Sequence, residues 1–543
     1  MFLKNVIRFS LLLALTFFTF ACDSSTDKAE STAPEVKAEV SEALPLTTTV
    51  EVTGGTIEGV EQDGILIYKG IPFAAPPVGN LRWKAPAPVQ PWTGVKKVDA
   101  FCNACMQTSG AMGNSAPVSE DCLYLNVWTP AKKVNENLPV IYWVHGGGYM
   151  GGSTSTPMYD GTGFAKKGVV LVSVAYRLGP FGFLAHPELS RESGHGSGTY
   201  GMLDMVEGLE WVKENVAKFG GDPSNVTIFG HSAGGAAISL LAATPLTKGL
   251  FHRAICMSGG SFTPLQTSPQ VGISMGLPSL NFAESTGADF LKELGVAGIS
   301  EARALSAEDI QKNMAGGFGG MRFKPAVDGY LISNDLYSLY EEGNFNDTPV
   351  LVGHTSDEMG SFGGTQELTP EQFEEQIKTQ YGSQADMVLA VYPHSTEAEA
   401  TRASKDNRND TFTWNTLAWS RLQTRNGKNK AYQYYFDYHP NSPDGGSGHG
   451  SDVPYAFQTL GGGPAGEPGE ADLKLSDMIS SYWINFAKTG DPNGPELPEW
   501  PAFKMDDQKV MVFDTAPGAR PVPNLDRFKV LDIYFSGLRG KSE

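Results

Sequence analysis

The sequence predicts an α/β fold, a large, mostly parallel central sheet flanked by helices on both faces. Three observations carry that expectation. Continuous apolar runs recur at 138–144, 169–176, 226–229, 254–257 and 349–352, the form taken by strands covered on both faces. Between two of them Leu203, Val206, Leu209, Val212, Val216 and Phe219 repeat at three- and four-residue spacing and stop at Gly220-Gly221, an amphipathic helix with a glycine terminator. Candidate reactive groups follow the strands, and in such sheets ligands gather at the carboxyl ends.

Taking the chain in order, Lys4 and Arg8 precede an apolar run over 9–21 that is too short to span a bilayer stably, the pattern of an export signal over 1–21. Cys22 follows Ala21, begins a polar stretch, and resembles the lipidated cysteine of a bacterial lipoprotein, although Thr19 stands where such sites usually carry Leu. The expected location of the exported chain is periplasmic or, with lipid at Cys22, anchored to a bacterial membrane; secretion is the alternative. Residues 22–49 are rich in Ser, Thr, Ala, Glu and Pro with almost no aromatic residues, so a disordered tether is expected. One domain is expected over 50–540, because no repeat or second linker of this composition interrupts it; glycine-rich patches at 316–320 and 445–450 read as loops. The 543 residues are 41% hydrophobic and 19% charged, enough for a large core. A net charge of -19 with no basic cluster disfavours nucleic acid as a partner.

The stretch V-T-I-F-G-H-S-A-G-G at 226–235 runs from a strand through Gly-x-Ser-x-Gly into an Ala-rich helix at 236–243. That is the form of a nucleophile elbow, in which a sharp turn holds Ser232 above the sheet. The pentad alone is weak evidence in a chain with 63 glycines; the flanking strand and helix give it weight. A serine hydroxyl needs a base, and the base needs an orienting group. Of nine histidines, His449 is the best base, in a glycine-rich loop after the alternating run at 431–438. His145 is committed by the three glycines behind it, and the elbow is expected to turn the His231 side chain elsewhere. Asp357 or Glu358 supplies the third group, and spacing does not choose between them. Gly147 and Gly148, with Ala233 after the nucleophile, are the expected oxyanion donors, each worth about 3 kcal/mol in the transition state.

The order serine, acid, histidine is that of α/β-hydrolases. Further motifs resemble the type-B carboxylesterase and cholinesterase-like family over nearly the whole folded part: Y-K-G-I-P-F-A-A-P-P-V-G from Tyr68, S-E-D-C-L-Y-L-N-V-W from Ser119, H-G-G-G from His145, F-G-G-D-P-S-N-V-T-I-F-G-H-S-A-G-G from Phe219, T-S-D-E-M-G-S-F from Thr355 and H-G-S-D-V-P-Y-A-F from His449. The resemblance implies Glu358 as the acid and His449 as the base. It also implies a disulfide between Cys105 and Cys122, worth about 3 kcal/mol, and an Arg82–Glu120 ion pair. Two positions depart from the family: His231 stands where Glu often precedes the nucleophile, and Ala175 where Asn often precedes Tyr176-Arg177. Cys102 and Cys105 form C-x-x-C with no second pair or nearby His to complete a metal site, so no metal and no organic cofactor is expected. Cys256 reads as a buried thiol.

In cholinesterases a Trp in this disulfide loop holds the quaternary ammonium. Residues 105–122 contain no Trp, Tyr or Phe. The expected activity is therefore hydrolysis of small or medium neutral carboxylic esters through an acyl-enzyme on Ser232. Amide, thioester or aryl-ester hydrolysis, and a non-catalytic binding module, are the alternatives. Tyr149, Phe318 and Phe362 are candidate pocket liners.

Overall fold

The structure, a computed structural model, describes residues 44–108, 116–269, 276–312, 322–362, 366–440, 445–461 and 466–540. The export signal, Cys22 and Phe318 lie outside the described residues. The described residues form one compact unit.

Eleven strands make the central sheet: β1 Val60–Gln62, β2 Ile65–Pro72, β3 Tyr124–Thr129, β4 Leu138–Val144, β5 Val170–Val174, β6 Gly221–His231, β7 Arg253–Met257, β8 Val350–Thr355, β9 Ala431–Phe436, β10 Lys509–Phe513 and β11 Gly518–Pro521. Their spatial order is β11-β10-β9-β8-β7-β6-β4-β5-β3-β2-β1. β4 to β10 pair in parallel. Antiparallel pairs close both edges. Leaving β4 the chain turns to β5 on one side, and leaving β6 it turns to β7 on the other. The two connections diverge, so a crevice opens at the carboxyl ends of β4 and β6.

The runs are β-branched and aromatic, and their alternate residues leave the sheet on opposite faces. Val140, Tyr142 and Val144 of β4 join one core; Ile141 and Trp143 join the other. The first core is filled by α1 Tyr200–Asn215, α2 Ala233–Ala243 and α3 Glu397–Asn426. α4 Glu470–Thr489 fills the second with Ile479, Tyr482, Trp483 and Phe486. Each such side chain taken out of water contributes about 1.5–3 kcal/mol. α1 runs on through a 3-10 turn, Val216–Phe219, and ends at Gly220 with φ 79°, as its spacing predicts.

The tether expected over 22–49 does not extend to Thr49. Pro45 pairs with Lys133, Leu46 N–H donates to the Lys132 carbonyl at 2.9 Å, and the Tyr68 hydroxyl donates to the Thr47 carbonyl at 2.7 Å. Backbone hydrogen bonds hold these residues, and composition carries no trace of them.

Candidate active site

Ser232 is where β6 becomes α2. Its backbone has φ 58° and ψ -123°, a conformation that side chains rarely adopt, and its hydroxyl makes no capping bond to the helix it opens. Two close approaches, one at this turn and one in the loop after β4, require glycine. A Cβ on Gly234 would run into the Val144 carbonyl, so only glycine lets α2 start this close to β4. A Cβ on Gly147, where φ is 115°, would strike the Gly151 carbonyl.

The glycine loop after β4 is held from several sides. His145 is buried, stacks on Tyr176 at 4.5 Å, and has its Nδ1 2.8 Å from the Gly146 carbonyl; the Tyr176 hydroxyl donates to the His145 carbonyl at 2.9 Å. Burial pushes this ring down to about 4, which keeps it neutral. Gln107 bonds Gly152 in both directions, donating to its carbonyl at 2.8 Å and accepting from its N–H at 2.9 Å. Gln107 also donates to the carbonyl of Cys105, which is joined to Cys122 by the disulfide the family resemblance implies. The disulfide segment thus braces the glycine loop, a role for Gln107 that sequence reasoning missed. Gly146 of this loop packs against the nucleophile, where an added Cβ would lie 2.9 Å from the Ser232 Cβ; Gly147 and Gly148 follow it with φ 115° and 62°, and Ala233 opens α2.

Glu358 lies just past β8, fully buried, with one carboxylate oxygen on His449 Nδ1 and the other accepting from the Thr355 N–H at 2.8 Å. Burial alone would raise its pKa; the His449 ring and the Thr355 N–H outweigh it and hold the carboxyl down at about 2. Asp357 takes no part in this contact. It accepts from Lys405 at 2.6 Å and caps the following turn, so the choice that spacing leaves open falls to Glu358. The two loops that bring acid and histidine together are laced by backbone: Asp357 N–H donates to the Ser447 carbonyl at 2.9 Å, and Ser447 N–H to the Ser356 hydroxyl at 2.8 Å. Asn409 of α3 accepts from the Glu358 N–H at 2.8 Å.

His449 is boxed by rings. Phe362 lies at 4.8 Å, Phe412 of α3 at 5.5 Å and His231 at 4.6 Å between centroids. Its Nε2 is buried with no hydrogen-bond partner among the described residues. Phe362 is thus placed at the site, whereas Tyr149 is buried against Phe183. The His231 side chain does not turn away from the site as expected; it lies against the base. Arg82 and Glu120 form the implied ion pair through two bonds of 2.7 and 2.6 Å. Cys256 is a buried thiol, and Cys102 is half-buried and free.

A crossover-connected parallel sheet, a strained serine at a strand-to-helix turn and a carboxylate–histidine pair at one sheet edge define an α/β-hydrolase. The carboxylesterase family profile matches residues 46–527. Fumonisin B1 esterase of Sphingopyxis macrogoltabida is 36% identical over 481 residues, covering 86% of each chain. Para-nitrobenzyl esterase of Bacillus subtilis is 35% identical over 488 residues, covering 85% of this chain and 94% of that one. Among solved structures, a PNB esterase superposes with TM-score 0.77 at 33% identity over 89% of this chain and 99% of its own. A Geobacillus stearothermophilus carboxylesterase superposes with TM-score 0.78 at 32% identity over 89% and 100%. The chain belongs to the carboxylesterase family and is a carboxylic ester hydrolase.

Proposed function

We propose that hydrolysis runs through an acyl-enzyme on Ser232, with His449 as general base, Glu358 as its orienting acid, and the N–H groups of Gly147, Gly148 and Ala233 receiving the oxyanion. The observation that carries this reading is the Glu358–His449 contact: it occupies Nδ1 and leaves Nε2 without a partner, at the sheet edge where Ser232 stands. Glu358 fixes the tautomer with its proton on Nδ1, so Nε2 is the basic nitrogen. It takes the serine proton as the hydroxyl attacks the ester carbonyl, then returns that proton to the departing alcohol. Water, deprotonated by the same nitrogen, attacks the acyl-serine; the acid leaves and the proton returns to serine. Donors already aimed at the oxyanion do not have to reorganise as charge develops.

Small or medium neutral esters are the proposed substrates, supported by the absence of aromatic residues in 105–122. Relatives named for p-nitrobenzyl esters and for fumonisin B1 supply two further probes. Ser232→Ala is expected to lower p-nitrophenyl acetate and butyrate turnover about 10⁵-fold or more at unchanged thermal stability; turnover retained in that variant would remove Ser232 as nucleophile. Export, with lipid attachment at Cys22, is a second proposal that rests on the leader pattern of 1–22. Labelled palmitate should enter the wild type and not Cys22→Ser; equal labelling of both, or of neither, would contradict it.

A further inference from the structure

His231 immediately precedes the nucleophile, and its ring is wedged between the glycine loop after β4 and the loop that carries His449. On one side, a Cβ added to Gly146 of the glycine loop would lie 3.2 Å from His231 Nδ1; on the other, a Cβ added to Gly450 would lie 3.0 Å from His231 Cε1. The ring itself meets His449 at 4.6 Å with the planes inclined by 38°. Neither ring nitrogen has a hydrogen-bond partner among the described residues, so packing and not hydrogen bonding holds the ring where it is. Glycine at 450, next to the base, leaves the ring its space.

We propose that His231 is a positioning residue: its ring is the wedge that fixes the plane of the His449 imidazole and keeps Nε2 aimed at Ser232. This inference rests on the assignment of His449 as the base. The wedge acts by shape and not by charge. Burial, and then the neighbouring His449, push the His231 ring down to about 3, so it stays neutral over the working range. Charged and titratable groups around the pair come from every adjoining element. Glu358 lies on Nδ1 from the turn after β8, and Asp452 opens the helix Val453–Phe457 that follows the His449 loop. His354 and Cys256 lie in β8 and β7 beneath Glu358, and the Asp357–Lys405 pair lies beside the loop. The His231 ring places a neutral surface where a carboxylate would add one more negative charge to this set.

The test compares His231→Phe, His231→Ala and His449→Ala with the wild type, on p-nitrophenyl butyrate over a range of pH. His231→Phe keeps the ring and is expected to retain kcat within about 3-fold, with the acid limb of kcat/KM unmoved and thermal stability equal or higher, since two buried unsatisfied nitrogens are removed. His231→Ala opens a gap beside the base and is expected to lose kcat about 10-fold or more at little change in KM, counted per site titrated with a serine-directed phosphonate. A loss in His231→Phe as deep as in His231→Ala, or a moved acid limb in His231→Phe, would overturn the wedge and make the nitrogens the active feature. A wild-type kcat in His231→Ala would also overturn it. Full activity in His449→Ala would instead sink the assignment of the base, so the two failures are told apart.

Discussion

Glu358 is the residue whose chemistry depends most on its surroundings. Fully buried and held at about 2, it stays ionised wherever the fold survives, and its role is to orient the imidazole. Glu358→Gln keeps the shape and loses the charge, and the carboxamide no longer selects the Nδ1-protonated tautomer. The expected loss in kcat is about 10³- to 10⁴-fold, read by steady-state turnover. Burial depresses His145, His231 and His354 to about 4, 3 and 4, so in mild acid these three rings remain neutral. Replacing His231 or His354 by a neutral side chain of similar shape should therefore leave the acid limb of kcat/KM where it is, and a moved limb would show that ring titrating in the site.

At the scale of elements, the crevice between β4 and β6 is what the strand order provides, and the turns at its rim are what must be braced. Gln107 does this for the glycine loop through its paired bonds to Gly152. Gln107→Ala is expected to cost about 10- to 100-fold in kcat with KM little changed, since a small displacement of oxyanion donors is felt mainly in the transition state. Strands and turns of this rim were legible because their signals are local: β4 spans 138–144 as its apolar run indicates, and the Gly-x-Ser-x-Gly pentad marks the elbow. The supporting helix α3 was not. Its buried set includes Asn407, Asp410, Thr413, Asn415 and Gln423, so it shows no apolar stripe, although it brings Asn409 and Phe412 to the site. His231 was misread because local turn geometry says nothing of the loop that arrives from 449. Gln107 was missed because its partner, Gly152, is 45 positions away.

For the whole molecule, buried ionisable groups tie stability to pH. Asp452 is fully buried, accepts from the Tyr434 hydroxyl at 2.7 Å, and is pushed up to about 7 by burial ahead of every other influence. A carboxyl whose folded pKa is raised binds its proton more tightly in the folded state. Its stabilising contribution is therefore present below about pH 4 and lost as pH rises through about 7. Asp452→Asn should gain stability relative to wild type by about 2 kcal/mol between pH 5 and pH 8 in denaturant melts; a difference independent of pH would mean the carboxyl is ionised throughout. The same compact unit carries every group of the proposed reaction on one edge of one sheet, so the central claim is a single covalent event at Ser232. The direct measurement is to treat the enzyme with a p-nitrophenyl phosphonate, follow nitrophenol release, and locate the adduct by peptide mass spectrometry. One equivalent released, one adduct on Ser232 and ester hydrolysis lost in step are the predicted result. An adduct at another residue, or hydrolysis undiminished with Ser232 fully modified, would contradict it.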